Sequence, residues 1–215
     1  MSPHAKIRTL IVDDHAIVRA GIRQILSDTD DIEVTGEADN AAEAMKLVRK
    51  TPFDLVLLDL SLPDRNGLEL IELFKKERPR MQVLVLSMHR ETQYAVRALK
   101  TGACGYLNKQ SAPDQLVSAI HQVVEGRRYI TAPVAEALAS EISVGSQAQP
   151  HEALSNREFQ TLCLLASGKP VSVIAEDLSL SVKTVSMYRT RLLEKMHLKN
   201  NAELTHYAIR NGLVD

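Results

Sequence analysis

The sequence has 215 residues, of which 45% are hydrophobic and 25% charged, and its formal net charge is −1 at pH 7. These values are typical of a soluble globular protein with one large domain or two modest ones. No apolar run approaches the length of a membrane span, and the first ten residues lack the features of a secretory signal. The sequence therefore predicts a cytoplasmic protein with no membrane partner.

Five short apolar runs alternate with helix-like segments in the first 128 residues. Each run is apolar on both faces, as a buried parallel β-strand is; the runs read IRTLIVD, IEVTGEA, FDLVLLDL, MQVLVLS and ACGYLNK. Two of the predicted helices begin with the pattern of an N-terminal cap, Asn40 three residues before Glu43 and Ser111 three residues before Asp114. The alternation predicts an α/β fold with a doubly wound, five-stranded parallel sheet.

The pattern changes after residue 128. Residues 129–151 lose the alternation and contain a polar, turn-rich stretch, which predicts a partly helical linker. Residues 152–215 are predicted to form a small all-α domain, whose first helix begins with a capping box of Ser155 and Glu158. Residues 154–215 contain eight Lys and Arg residues and six Asp and Glu residues, whereas the first 153 residues carry a net charge of −3. This asymmetry is typical of an acidic site followed by a nucleic-acid-binding module.

Carboxylates stand where two of the predicted strands end. Asp13 and Asp14 end the first strand, and Asp59 ends the third. Ligands of doubly wound sheets bind at this carboxyl edge, so the three groups converge if the two strands are neighbours. Two carboxylates about 4 Å apart repel by about 4 kcal/mol at an effective dielectric constant of about 20, which calls for a compensating cation. All-oxygen ligands favour Mg²⁺ over Zn²⁺.

Two further polar residues end strands at the same edge. Ser87 closes the fourth strand and Lys109 follows the fifth. A lysine ammonium group and a serine hydroxyl can each hold a phosphoryl oxygen. Together with the carboxylates, they predict a site that handles phosphoryl groups.

The first 128 residues resemble a bacterial response-regulator receiver domain, and the whole chain is similar to the NarL/FixJ family. The matching residues occur in the family's order at the ends of the predicted strands: Asp13, Asp14, Asp59 with Pro63 and Gly67 after it, Ser87, Tyr106 and Lys109. The resemblance implies that Asp59 accepts a phosphoryl group from a phosphohistidine of a sensor histidine kinase. It also implies that Asp14, Asp59 and the backbone carbonyl of Ser61 bind Mg²⁺ directly, while Asp13 acts through a water molecule.

The resemblance further implies how the site acts as a switch. Ser87 and Lys109 would hold the phosphoryl oxygens, and Tyr106 would turn inward as Ser87 moves. Ser61 and His89 lie two residues past the acceptor and past the serine, where family members control how long the acyl phosphate survives.

The C-terminal segment predicts a helix-turn-helix within PVSVIAEDLSLSVKTVSMYRTRLLEKM. At about 100° per residue, the core side of its second helix is expected to carry Val185, Tyr188, Leu192 and Met196. The opposite face would enter the major groove of DNA. The candidate DNA contacts are Lys183, Thr184, Ser186, Met187, Arg189, Thr190 and Arg191, with Arg189 assigned to phosphate.

Residues from Leu154 onward resemble a LuxR-type DNA-binding domain. Two local departures are Pro170, where a small or polar residue is usual, and Asp64, where glycine is commoner. One recognition helix reads few base pairs, so a homodimer on promoter DNA is expected. The last helix, NAELTHYAIRNG, resembles the element that pairs such domains, and RNA polymerase is a further candidate partner. Phosphorylation is expected to promote dimerisation and promoter binding.

Three other interpretations remain open from sequence alone. An Mg²⁺-dependent aspartyl phosphatase usually carries a second aspartate two residues after its nucleophile, and here that residue is Ser61. We therefore expect no enzymatic activity beyond slow hydrolysis of the protein's own acyl phosphate. A regulator that binds DNA regardless of phosphorylation is the second alternative. A small helical bundle without DNA-binding function is the third, for the C-terminal segment alone.

Overall fold

The computed structural model describes residues 6–88, 92–143 and 149–214. The chain divides into two compact units, residues 1–90 with 97–131 and residues 91–96 with 132–215. None of the helices in the described ranges is both long enough and apolar enough to cross a membrane. His89, which the sequence analysis proposed as a determinant of phosphate lifetime, lies outside the described residues.

The first unit is built around a five-stranded parallel sheet with the strand order β2-β1-β3-β4-β5. Its strands are β1 (Ile7–Val12), β2 (Ile32–Ala38), β3 (Leu55–Asp59), β4 (Gln82–Ser87) and β5 (Gly105–Asn108). The helices that follow these strands in chain order are α1 (Ala16–Ser27), α2 (Ala41–Lys50), α3 (Gly67–Glu77), α4 (Thr92–Thr101) and α5 (Ala112–Val124). Of α4, only residues 97–101 belong to the first unit. The predicted α/β architecture with a five-stranded parallel sheet is confirmed.

The sheet is buried by apolar side chains, as its near-continuous hydrophobic strands require. Four consecutive residues of β1, from Thr9 to Val12, are fully buried, and every residue of β3 is buried. Helices α1 and α5 pack on one cluster with the strands through Ile22, Leu26, Leu116 and Ile120. The strand order makes β1 and β3 direct neighbours, so their carboxyl ends meet at one edge.

The loop between β3 and α3 folds back so that its last residues contact the end of β3. Ser61 and Asn66 form an isolated antiparallel bridge, and the amide of Gly67 donates to the carbonyl of Leu60 at 3.1 Å. A Cβ atom on Gly67 would lie 2.5 Å from Leu60 Cα and 2.8 Å from the carbonyl oxygen of Asp59. Only glycine fits this position without moving the backbone beside Asp59.

One of the two predicted helix caps in this unit is wrong. The Asn40 side chain accepts a hydrogen bond from the amide of Glu43, as expected. Ser111 makes no side-chain cap, because a short 3₁₀ turn, Lys109–Ser111, precedes α5. The side chain of Asn108 instead accepts from the amide of Gln110. The cap lies three residues earlier because Lys109 begins a turn rather than ending a strand.

The second unit contains the helices α6 (Ala132–Ser143), α7 (Asn156–Ala166), α8 (Val171–Asp177), α9 (Val182–Lys195) and α10 (Asn201–Arg210). The predicted capping box at the start of α7 is confirmed, with the Ser155 hydroxyl and the Glu158 carboxylate each accepting from the other residue's amide. Glu158 also pairs with Lys195 of α9 at 2.7 Å. Helices α8 and α9 form the predicted helix-turn-helix around fully buried Ile174 and Val185.

Candidate functional site

The carboxyl ends of β1 and β3 bring three aspartates together. One ligand atom from each of Asp13, Asp14, His15 and Asp59 lies within 4.8 Å of the others. Asp13 and Asp59 are 1% and 3% exposed, whereas the side chain of Asp14 is 32% exposed. The convergence expected from the strand ends therefore occurs, with two of the carboxylates enclosed by the protein.

Lys109 connects the two enclosed carboxylates. Its Nζ atom lies 2.6 Å from Asp13 Oδ2 and 2.7 Å from Asp59 Oδ2. Burial acts to lower the pKa of Lys109, but Asp59 and Asp13 together outweigh it and raise the pKa above its ordinary value. The ammonium group is therefore charged at neutral pH and offsets part of the repulsion between the carboxylates.

Burial makes the Asp59 carboxyl group harder to ionise than an exposed one. Burial raises the pKa of Asp59 above its ordinary value, and the charge and hydrogen bond of Lys109 offset only part of this effect. A second cation beside the carboxylate would favour its ionised, nucleophilic form. The donor set of carboxylate oxygens fits a hard divalent cation such as the Mg²⁺ that receiver domains generally bind at their acidic pocket.

His15 and Arg19, which were not among the residues predicted from the sequence, also bind Asp13. The amide of His15 donates to Asp13 Oδ1 at 2.9 Å, and its ring Nδ1 lies 2.6 Å from Asp14 Oδ1. The guanidinium group of Arg19 donates to the backbone carbonyl of Asp13 at 2.6 Å and also binds Glu37 of β2. His15 follows the aspartate pair directly and was visible in the sequence. The contact from Arg19 depends on how α1 folds back over β1, which no local pattern shows.

Ser87 and Tyr106 lie on neighbouring strands near this cluster. Ser87 is fully buried at the end of β4 and is in register with Asn108, while Tyr106 of β5 is 7% exposed and in register with Val85. Met88, directly after Ser87, is 59% exposed. The buried serine and the enclosed tyrosine ring are therefore two residues apart in register on adjacent strands.

The exposed face of α9 carries most of the predicted DNA contacts. Val185, Leu192 and Met196 are buried and Tyr188 is half-buried, as the helical period requires. The exposed residues on the other side are Lys183, Ser186, Met187, Thr190 and Arg191. Thr184 is half-buried, and its hydroxyl lies 2.8 Å from that of Ser181. Arg189 is half-buried, and its Nε donates to Asn201 Oδ1 of α10 at 2.6 Å.

Comparison with known protein families identifies both units. Residues 9–121 match the family of response regulator receiver domains. Residues 152–208 match the family of bacterial regulatory proteins called the luxR family. The two matches cover the acidic cluster and the helix-turn-helix respectively.

Two curated relatives have the same organisation over nearly their full length. The response regulator UvrY of Escherichia coli K12 is 41% identical over 208 residues, which are 96% of this chain and 95% of the relative. The response regulator GacA of Pseudomonas aeruginosa is 37% identical over 210 residues, 97% of this chain and 98% of the relative. Both are response regulators, and a receiver joined to a LuxR-type domain is the architecture of a transcription regulator and not of an enzyme, as expected.

Solved structures of RcsB are similar over 94% of the chain. RcsB of Salmonella enterica serovar Typhimurium, bound to promoter rprA in the presence of the phosphomimetic BeF₃⁻, is 29% identical with a TM-score of 0.63, covering 94% of this chain and 98% of RcsB. A second structure shows two RcsB dimers on two parallel DNAs, at 27% identity and a TM-score of 0.59, covering 94% and 97%. The chain belongs to the response-regulator family with a LuxR-type DNA-binding domain and is a phosphorylation-controlled transcription regulator.

Proposed function

We propose that Asp59 is the residue that accepts the phosphoryl group and that the donor is a phosphohistidine of a sensor histidine kinase. The observation that carries the proposal is the ion pair between Asp59 and Lys109, whose charged atoms lie 2.7 Å apart in a buried site beside a second aspartate. Lys109 thus lies where the negative charge of an incoming phosphoryl group must be offset.

The transfer exchanges one bond to phosphorus for another. An oxygen of the Asp59 carboxylate bonds to phosphorus as the bond from phosphorus to the histidine nitrogen breaks, and the electron pair of that bond remains on the nitrogen. The resulting acyl phosphate carries about two negative charges and three acceptor oxygens. Lys109 and the hydroxyl of Ser87 are the groups of this chain that we assign to those oxygens.

The residues proposed to hold Mg²⁺ are Asp14, Asp59 and the backbone carbonyl of Ser61, with Asp13 acting through a water molecule. The close approach of the carboxylates, with ligand atoms within 4.8 Å of one another, supports this assignment. The ion supplies positive charge that relieves the repulsion between the carboxylates and the phosphoryl oxygens. Asp13 also pairs with Lys109, whose Nζ lies 2.6 Å from Asp13 Oδ2.

Ser87 and Tyr106 are the proposed switch residues. Movement of the Ser87 hydroxyl toward a phosphoryl oxygen leaves space that the Tyr106 ring fills. The enclosure of both side chains on adjacent strands supports this coupling. A change of a few kcal/mol in the balance of two pre-existing states alters activity by orders of magnitude.

The proposed output is a homodimer bound to promoter DNA through α9, in the cytoplasm, with RNA polymerase as a further partner. We assign residues 1–128 to the receiver, 129–151 to the linker and 152–215 to the DNA-binding domain. The last helix, α10, is the element that we assign to the pairing of two copies. The RcsB dimers on DNA support the same assembly.

The decisive experiment compares wild-type protein with Asp59→Asn after treatment with acetyl phosphate and Mg²⁺. Wild type is expected to gain one phosphoryl group that hydroxylamine or alkali removes, as from an acyl phosphate, and to bind promoter DNA more tightly as a dimer. Asp59→Asn should gain neither property. Asp39→Asn removes a nearby carboxylate outside the cluster and serves as the control. Equal phosphorylation of Asp59→Asn and wild type would show that another residue is the acceptor.

A further inference from the structure

Asp64 connects the loop after β3 to the start of a helix that is distant in sequence. Its Oδ1 accepts a hydrogen bond from the amide of Ala41 and its Oδ2 accepts one from the amide of Ala42, both at 2.9 Å. The adjacent amide, that of Glu43, is bound by the Asn40 side chain at 2.8 Å. Two of the first three amides of α2 are therefore satisfied by a single carboxylate from the loop that follows Asp59.

This contact holds the middle of a loop whose two ends are fixed by other bonds. The Ser61–Asn66 bridge and the bond from Gly67 to Leu60 close the base of the loop. Between them, Asp64 is exposed, and its side chain holds this part of the loop through the two amides of α2. A carboxylate with both oxygens bound at a helix N-terminus cannot rotate freely and benefits from the positive end of the helix dipole.

The contact also offsets the negative charge of Asp64, which would otherwise add to the repulsion among the nearby aspartates. Asp64 lies only five residues after Asp59, in a region that already gathers three aspartates. Binding to the amides of α2 offsets the charge of Asp64 locally. The loop thus carries a fourth carboxylate whose charge is directed to the helix and not to the metal ligands.

We propose that Asp64 is a positioning residue for the cation site, acting through the loop that carries the Ser61 carbonyl. The inference rests on the proposed function, in which that carbonyl is a metal ligand. Groups that hold metal ligands in place commonly contribute tenfold or more to metal affinity.

The test is a titration of the full chain with Mn²⁺ as the probe ion, with free Mn²⁺ measured by electron paramagnetic resonance. Asp64→Ala is expected to weaken Mn²⁺ binding by about tenfold and to speed amide hydrogen exchange at Ala41 and Ala42. Asp64→Asn keeps one acceptor oxygen and should fall between Asp64→Ala and wild type. Asp39→Asn, which removes a charge next to the same helix without touching the loop, should bind Mn²⁺ like wild type.

The outcomes separate the positioning role from a purely structural one. Faster exchange at Ala41 and Ala42 with unchanged Mn²⁺ affinity would mean that Asp64 caps the helix and does nothing for the site. Equal loss of affinity in Asp39→Asn would reduce the effect to general charge. Asp59→Asn tests the underlying site: if this variant binds Mn²⁺ as tightly as wild type, the proposed metal site itself is wrong, whatever Asp64 does.

Discussion

Lys109 places its amino nitrogen 2.7 Å from a carboxylate oxygen of Asp59 while both side chains are almost fully enclosed. The same nitrogen contacts Asp13 at 2.6 Å, so a single positive charge serves two buried acids. Removing it leaves two uncompensated carboxylates, and this is the basis of the first test.

Lys109→Met keeps the length of the side chain and removes its charge. Breaking a buried ion pair by removing one partner typically costs about 3–5 kcal/mol, so we expect a loss near 3 kcal/mol in the free energy of unfolding without Mg²⁺. Because a divalent cation would replace the lost positive charge, the loss should shrink in Mg²⁺. Urea denaturation with and without Mg²⁺ measures both values. Equal losses in the two conditions would contradict a cation site at these carboxylates.

Gly67→Ala should destabilise the receiver because its Cβ would lie 2.5 Å from Leu60 Cα. We expect a loss of about 1–3 kcal/mol in the free energy of unfolding, measured by urea denaturation, together with slower phosphorylation by acetyl phosphate. Gly21→Ala is the matched control, since no atom lies within 4 Å of the added Cβ in the exposed face of α1. That variant should gain up to about 1 kcal/mol from better helix propensity. Similar losses in both variants would rule out the steric explanation.

The pair of Glu158 and Lys195 gives a pH-dependent prediction. Burial acts to raise the pKa of Glu158, but the bonds from Lys195 and Ser155 outweigh it and hold the pKa below its ordinary value of 4.5. A group with a lowered folded-state pKa stabilises the fold above its unfolded-state pKa and loses that contribution as pH falls through the folded-state value. The stabilisation is therefore present at neutral pH and lost progressively below pH 4.5.

Lys195→Met tests this pair. Lys195 is 44% exposed, so solvent screening limits the expected local loss at neutral pH. We expect Lys195→Met to lower the free energy of local opening at the start of α7 by about 1 kcal/mol, and this difference should disappear below the ordinary pKa of glutamate. Hydrogen exchange at the amides of Glu158 and Phe159, compared between wild type and Lys195→Met at each pH, measures the difference. Lys169→Met breaks the surface pair with Asp177 and should change these amides little. A loss that stays constant with pH would contradict the assignment to the Glu158 carboxylate.

Lys183→Ala should weaken DNA binding to all sequences alike. Each phosphate contact contributes about one unit to the slope of log affinity against log salt concentration, so the slope should fall by about one. Binding measured across a salt series on specific and unrelated DNA gives this slope. Glu194→Ala removes an exposed acidic residue of α9 and should not weaken binding. An unchanged slope in Lys183→Ala would place Lys183 away from phosphate.

The sequence predicted the architecture because its signals are local. Hydrophobic runs ending in Asp13 and Asp59 mark strand ends, and parallel strands end at a common edge. The helical period separated buried Val185 from exposed Met187 in α9 for the same reason. The buried and exposed residues of a single element, and the residues at strand ends, could therefore be predicted.

The contacts between elements could not be predicted in this way. Arg19 reaches the carbonyl of Asp13 only because α1 packs back on β1, and Asp64 meets α2 across 23 residues of sequence. The cap predicted at Ser111 failed because the chain makes a 3₁₀ turn after Lys109 and Asn108 provides the cap instead. The contacts of Arg19 and Asp64 depend on tertiary packing, which sequence spacing alone does not encode, whereas the Asn108 cap is local and was assigned to the wrong residue.

Tyr106 lies on β5, the last strand of the sheet, whose outer side is joined only by an isolated bridge to Tyr129 among the described residues. A change of side-chain packing on β5 therefore disturbs only one full ladder of hydrogen bonds, the ladder with β4. The central strands β1 and β3, at whose carboxyl ends the aspartates lie, each have two neighbours in the sheet. The proposed phosphoryl acceptor therefore lies on a strand held by two ladders, and the proposed switch residue Tyr106 lies on a strand held by one.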